Sequence, residues 1–278
     1  MAVDYDACLR RGAIGALGAI PGTVAAHPFD VVKMRMQVSG DASVSSTVGA
    51  IRKASGLPAG LYRGVVAGVG QKIMTRGPMF LASEVATQLC VEHGGLSRDR
   101  ALFVGSFASG YVTGSVAASA EWAKVQRAVA GAGAGASSAL GRLSGPGAWK
   151  RLHGAGLRNA TFDSIFFGSE HAMRKAGLPP EVSYAVAAVL GMVIDFPLDA
   201  AVKRSMATPV AQDVRWPVAS AWRLLRTRGL GAFAGLRAKA CEFGVSYCVT
   251  GAVSRWGVLA ALDGAARRDA PEASGSRC

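Results

Sequence analysis

Pro28-Phe29-Asp30-Val31-Val32-Lys33-Met34-Arg35-Met36-Gln37 closes a Gly- and Ala-rich apolar stretch, and its reading decides the fold. Proline removes a backbone donor and crowds the preceding turn, so a helix carrying Pro28 is expected to bend there. Asp30 and Lys33, three apart, share roughly one helical face. A charged pair at the bend of a greasy helix is costly in lipid and should face partners or water. Weaker copies of the run follow at Ser119-Ala120-Glu121-Trp122-Ala123-Lys124 and at Pro197-Leu198-Asp199, with Lys203 and Arg204 beyond.

Half of the 278 residues are hydrophobic, only 18% are charged and 36 are glycine, a bias that suits membrane helices packed backbone to backbone. The net charge of +13 would suggest nucleic acid in a soluble protein, but aromatics make up 7% and no basic run is interleaved with them. In a membrane protein the same excess meets anionic lipid or an anionic solute, so no nucleic-acid partner is expected. Cys8, Cys90, Cys241, Cys248 and Cys278 are scattered without a Cys-x-x-Cys pair, which indicates neither a disulfide framework nor a zinc site. Arg10-Arg11 before Gly12–Ile20 resembles a signal peptide, but Asp4 and Asp6 spoil the basic region, so a retained first helix is expected.

Residues 12–29 carry no formal charge, with Gly12, Gly15, Gly18 and Gly22 along one face. A short surface helix is predicted over 47–55, then Gly60-Leu61-Tyr62-Arg63-Gly64 and a second span over 65–91 interrupted by Gln71, Lys72, Arg76 and Glu84. Such polar positions fit a helix with a wet face on a cavity. Residues 101–120 form the clearest apolar span, and Ala130 to Ser138 reads as a flexible Gly/Ala connection, not a phosphate loop. Trp149-Lys150 opens a mixed segment to Arg174; Pro179-Pro180 breaks the chain before the apolar 182–196; a basic surface helix is expected over 215–229; Phe233-Ala234-Gly235 opens the last span, to about Leu262. Residues 263–278 read as a polar tail.

Asp30, Glu121 and Asp199 stand 91 and 78 residues apart, each after a Gly/Ala-rich span and before a more polar one. This is an internal repeat of a two-helix unit, with copies at 8–92, 98–176 and 180–262, which can enclose a cavity around a pseudo-threefold axis. Pro28-x-Asp30-x-x-Lys33-x-Arg35-x-Gln37 followed by Gly60-Leu61-Tyr62-Arg63-Gly64 resembles the mitochondrial carrier signature, strongly in the first copy and partially in the others. The resemblance implies an all-α membrane protein of six tilted transmembrane helices with short matrix-side helices. It also implies both termini toward the intermembrane space and solute transport across the inner membrane by alternating access.

Family geometry implies a matrix gate pairing Asp30 with Lys124 and Asp199 with Lys33, braced by Gln37, with Pro28 and Pro197 at the bends. Glu121 should meet a base in the third copy, but Val202 stands there, so Lys203 or Arg204 has to rotate to reach it. At the opposite end only Glu84, Glu170 with Arg174, and Arg255 are on offer, which implies a weak outer gate. The family's substrate-contact positions fall at Gln71, Arg158 and Glu242, with Lys72, Asn159, Arg76 and Lys239 beside them. Arg158-Asn159 resembles the pair of keto-acid and di- or tricarboxylate carriers, and an arginine fork holds a carboxylate through two parallel hydrogen bonds. Glu242 could neutralise Lys239, bind an amine or carry a proton. Tyr62-Arg63-Gly64 and Trp149-Lys150 imply phospholipid sites, with cardiolipin as the bound lipid and no other cofactor or metal.

The resulting expectation is a monomeric solute carrier, not an enzyme, for a small carboxylate such as a 2-oxo dicarboxylate or tricarboxylate. A carrier-shaped receptor or adaptor without transport, a carrier for an amine-bearing solute and a soluble basic protein are the alternatives.

Overall fold

The computed structural model describes residues 5–40, 43–130, 145, 147–208, 214–246 and 248–249, with side-chain surroundings outside 5–19, 76–77, 80, 130 and 180–181. The Gly/Ala connection after Ala130, Arg255, the end of the last span and the polar tail lie outside them. Every regular element among the described residues is helical. The order is α1 (Tyr5–Ser39), α2 (Val44–Ser55), α3 (Leu57–Leu61), α4 (Val65–Glu92), α5 (Arg98–Ala130), α6 (Ala148–Lys175), α7 (Pro180–Ala207) and α8 (Pro217–Arg228). A 3₁₀ turn, Gly229–Phe233, then leads to α9, residues 236–246. Pro28 and Pro197 sit inside continuous helices. At the start of α2, Ser43 caps the helix by accepting from the Ser46 amide at 3.3 Å.

The long helices form a closed ring. α1 packs on α4, α4 on α5, α5 on α6 and α6 on α7. α9 closes the circuit: Lys239 reaches Asp195 and Asp199 of α7, while Glu242 meets Lys33 of α1. The hairpins are not isolated units, since α4 grips α5 of the next repeat about as extensively as α5 grips α6.

Glycine sets the closest approaches. A Cβ on Gly105 would stand 2.6 Å from the Thr87 amide nitrogen, one on Gly110 2.9 Å from Cα of Ala160, and one on Gly114 2.8 Å from the Ala155 carbonyl oxygen. These contacts fall on backbone that cannot swing aside, so α5 lies backbone to backbone against α4 and α6. Gly110→Leu should therefore separate α5 from α6 and lower the melting temperature of the detergent-purified protein markedly. By contrast, Gly49→Ala, with nothing within 4 Å, should stabilise α2 by about 0.5–1 kcal/mol. Equal melting temperatures for the two variants would refute this account of the packing.

Two of the long helices turn apolar stripes outward while charged side chains gather inside. Phe103, Val104, Phe107, Val112 and Val116 of α5, and Val182, Val186, Val189, Leu190, Val193 and Ile194 of α7, are exposed, while twelve ionisable side chains converge on the interior. Exposed apolar stripes of this size need a non-aqueous neighbour. Among the described residues two helices, Arg98–Val129 and Val182–Ala207, are long and apolar enough to cross a membrane. Of the six spans expected, these two pass on length and hydropathy. In α1, prolines 21 and 28 and His27 interrupt the apolar run, while α4 and α6 carry the polar residues that line the interior.

Three glycines with left-handed backbone precede α4, α6 and α9: Gly64 (φ 87°), Gly147 (φ 71°) and Gly235 (φ 92°). Gly64 lets α4 start over the Lys124 carbonyl and Gly235 lets α9 start over that of Lys33, each with a Cβ-equivalent distance of 3.3 Å. The middle repeat differs. Arg151 takes the place of the third residue in its aromatic–basic signal, the glycine stands four residues earlier, and α6 begins at Ala148.

Candidate functional site

The interior closes on a cavity of about 100 Å³ lined by residues of α1, α4, α5, α6, α7 and α9. Its charged lining consists of Asp30, Glu121, Asp163, Asp195, Asp199 and Glu242 against Lys33, Lys72, Lys124, Arg158, Lys203 and Lys239. Among the described side chains six acids face six bases.

At the base of the cavity the repeat acids lie in two adjoining clusters, Asp30 in one and Glu121 with Asp199 in the other. Asp30 takes Lys124 at 3.0 Å and its own helix neighbour Lys33 at 2.9 Å. Glu121 is paired with Lys203 and with Arg158. Asp199 receives Arg158 at 3.2 Å, Lys239 at 3.3 Å and the Gln37 amide at 2.9 Å. Removing one partner from such a cluster exposes a buried uncompensated charge, which is why its members are interdependent.

The expected Asp30–Lys124 pair is present, the expected Asp199–Lys33 pair is not, and of the two bases offered to Glu121 one is taken. Asp199 is met by Gln37, Arg158 and Lys239, because Lys33 is drawn to Glu242 at 2.6 Å and to Asp30. Glu121 is met by Lys203, not by Arg204. Val202, at the position of the missing base, is fully buried in an apolar cluster with Val31, Met34, Trp122, Val125, Met206 and Ala238. The next residue therefore carries the charge inward, and Arg204 turns outward to donate its Nε to the Gln37 carbonyl at 2.6 Å.

Arg158 and Asn159 of α6 line the same cavity. The Asn159 Oδ1 accepts from Arg158 Nε at 3.1 Å and Nη2 at 2.6 Å, so it holds one edge of the guanidinium while Nη1 faces Glu121 and Asp199. The carboxamide acts as a built-in stand-in for a carboxylate edge. Gln71 and Lys72 line the same cavity from α4, and Lys239 and Glu242 line it from α9. Glu242 neutralises Lys33, not Lys239. The Arg76 side chain lies outside the described residues.

Asp195 was legible only as an interruption in an apolar run. It stands four residues before Asp199, on the same helical face, with Lys239 at 3.4 Å and its Oδ1 buried without a hydrogen-bond partner. The Gln71 Oε1 is likewise buried and unpartnered. Both are acceptors. The lone acid one turn ahead of a motif acid was the available signal.

Tyr62 and Trp149 are exposed near the starts of α4 and α6. Trp149 stacks on His153 at 6.2 Å; His153 receives Trp216 edge-on at 5.4 Å and shares a 2.7 Å hydrogen bond with the Tyr111 hydroxyl. This aromatic group ties α5, α6 and α8 together. At the far end of the ring, Glu170 pairs with Arg174 within α6 at 3.2 Å, and Glu84 accepts from Gln88 within α4 at 3.1 Å. Asp99 of α5 binds Lys175 at 2.7 Å and His171 at 3.0 Å, a contact within one repeat that the sequence reading missed.

Residues 6–94 match the family model described as mitochondrial carrier protein. The match makes this segment similar to the mitochondrial carrier family. It covers α1 through α4, the repeat whose motif is fullest. No curated protein matches the chain. Members of the carrier family are membrane transporters of solutes in mitochondria rather than enzymes. A ring of helices with an apolar exterior and a charged interior suits that role.

Proposed function

We propose that this protein moves a small carboxylate across the mitochondrial inner membrane by alternating access, with six spanning helices in three repeats. A 2-oxo dicarboxylate or tricarboxylate is the preferred solute class. The observation that carries the reading is the Arg158–Asn159 pair inside the charge network. A substrate carboxylate arriving at Arg158 competes with Glu121 and Asp199 for the same Nη1 edge. Binding then loosens the ring of pairs that joins α5, α6 and α7 at the closed end. Because buried pairs cost desolvation nearly as much as they gain in attraction, such a ring can break and re-form without a large net free-energy change. Gln71, Lys72, Arg76, Lys239 and Glu242 complete the substrate lining in this reading, and Tyr62-Arg63-Gly64 with Trp149-Lys150 bind anionic phospholipid.

One observation favours an amine-bearing carboxylate. The described lining is charge-balanced, and Asp195 Oδ1 and Gln71 Oε1, among its buried atoms without a hydrogen-bond partner, are acceptors that a donor would satisfy. An ammonium group supplies one.

Purified protein in liposomes should take up labelled 2-oxoglutarate or citrate, and the same panel should include labelled amino acids. Uptake confined to amino acids would replace the keto-acid reading with the amine-bearing one. Uptake of neither would overturn both.

A further inference from the structure

The structure holds a second cavity, of about 430 Å³, between the end of α7 and α8. It is outside the central ring and is lined by Arg204, Arg215, Arg223 and Arg228, with Ser and Thr hydroxyls between them. No carboxylate among the described residues lines it. Arg204 and Arg228 are close enough to repel, and Arg228 lies against Gly40 of α1. Arg226, by contrast, lies over the Trp222 ring at 5.2 Å and does not line the cavity.

The first repeat supplies an internal comparison. Arg35 stands five residues after Asp30 as Arg204 stands five after Asp199, and each donates its Nε to a backbone carbonyl of another long helix: Arg35 to Ala128 at 3.0 Å, Arg204 to Gln37 at 2.6 Å. Among the described residues, the matching cavity beside α2, about 270 Å³, contains Arg35 as its one charged residue. This frame therefore closes with a single arginine. The last repeat lines its cleft with three further arginines, of which Arg228 lies close enough to Arg204 to repel it, and a bound anion would relieve that repulsion.

We propose that the α7–α8 cleft binds an anion carrying two or more phosphoryl groups. Guanidinium forks from both walls match phosphoryl oxygens in pairs, and the volume exceeds what one phosphate fills. The apolar lining is limited to Ala201, Val214 and Leu224, which offers no track for acyl chains and favours a free anion over a lipid headgroup. The occupant sits one residue from Lys203, and the Arg204–Gln37–Asp199 hydrogen bonds connect it to the closed end of the ring.

The test uses the full-length protein in nanodiscs of neutral phosphatidylcholine, titrated with tripolyphosphate by calorimetry. Saturable binding weakened at least tenfold in Arg223→Ala/Arg228→Ala, and unchanged in the charge-matched Arg52→Ala/Lys53→Ala of α2, is the expected result. Repeating the titration in nanodiscs containing cardiolipin separates the sources: undiminished binding supports the free anion, and competition lost in the same arginine variant supports a lipid headgroup in the cleft. Absence of saturable binding overturns the proposal, as does equal loss in both double variants. Asp213 is the nearest acid in sequence. Binding seen only in Asp213→Asn would show that the chain's own carboxylate occupies the arginines, and would also overturn it.

Discussion

Arg158→Ala is expected to abolish uptake and to destabilise the protein. The guanidinium is buried, shares Nη1 between Glu121 and Asp199, and is aligned by Asn159. Deleting it leaves two buried carboxylates short of a partner, a loss of about 3–5 kcal/mol in comparable networks. A stability loss alone would not show a substrate role, so a second variant is needed. Arg158→Ala/Asp199→Asn restores the charge balance, since Glu121 keeps Lys203 and Lys239 keeps Asp195, and should recover most of the melting temperature without recovering uptake. Arg158→Lys keeps the charge but loses the planar fork, and should raise KM for the carboxylate at least tenfold with a smaller effect on stability. Full uptake in the doubly substituted protein would confine Arg158 to a structural role.

Which features were legible in the sequence follows from which forces fixed them. The repeat acids were visible because each marks the end of an apolar helix, and helical spacing alone puts Asp30 beside Lys33. The Arg158–Asn159 pair could be found by counting from an aromatic signal. Partner choice was less legible. Lys33 has both Asp30 and Glu242 within reach, and only the closure of α9 on α1 decides that Asp199 is left to Gln37, Arg158 and Lys239. The early start of α6 was hidden too, because a left-handed glycine four residues ahead of the expected place looks like any other glycine in a Gly-rich stretch. Asp195 was overlooked because an acid in an apolar run reads as an interruption until a base, here Lys239, is seen opposite it.

Lys203 and Arg204 give the second large effect, since adjacent bases of equal charge do different work. Lys203 is buried against Glu121, whereas Arg204 is half-buried and holds the Gln37 carbonyl. Lys203→Met should lower uptake at least tenfold and cost up to about 3 kcal/mol, Glu121 retaining Arg158 as its other partner. Arg204→Ala should cost about 1 kcal/mol, the worth of one hydrogen bond, and leave most uptake intact. The displacement of the base from position 202 is itself testable with Val202→Lys/Lys203→Val, which returns the charge to the position it occupies in the first two repeats. Position 202 is walled by Val31, Met34, Trp122 and Met206, so a lysine there has to be desolvated among apolar side chains and starts on the wrong face to reach Glu121. This variant should therefore be no more active than Lys203→Met and less stable than it. Recovery of wild-type uptake would mean that the third repeat tolerates the regular register, and that the apolar cluster is not what moved its base by one residue.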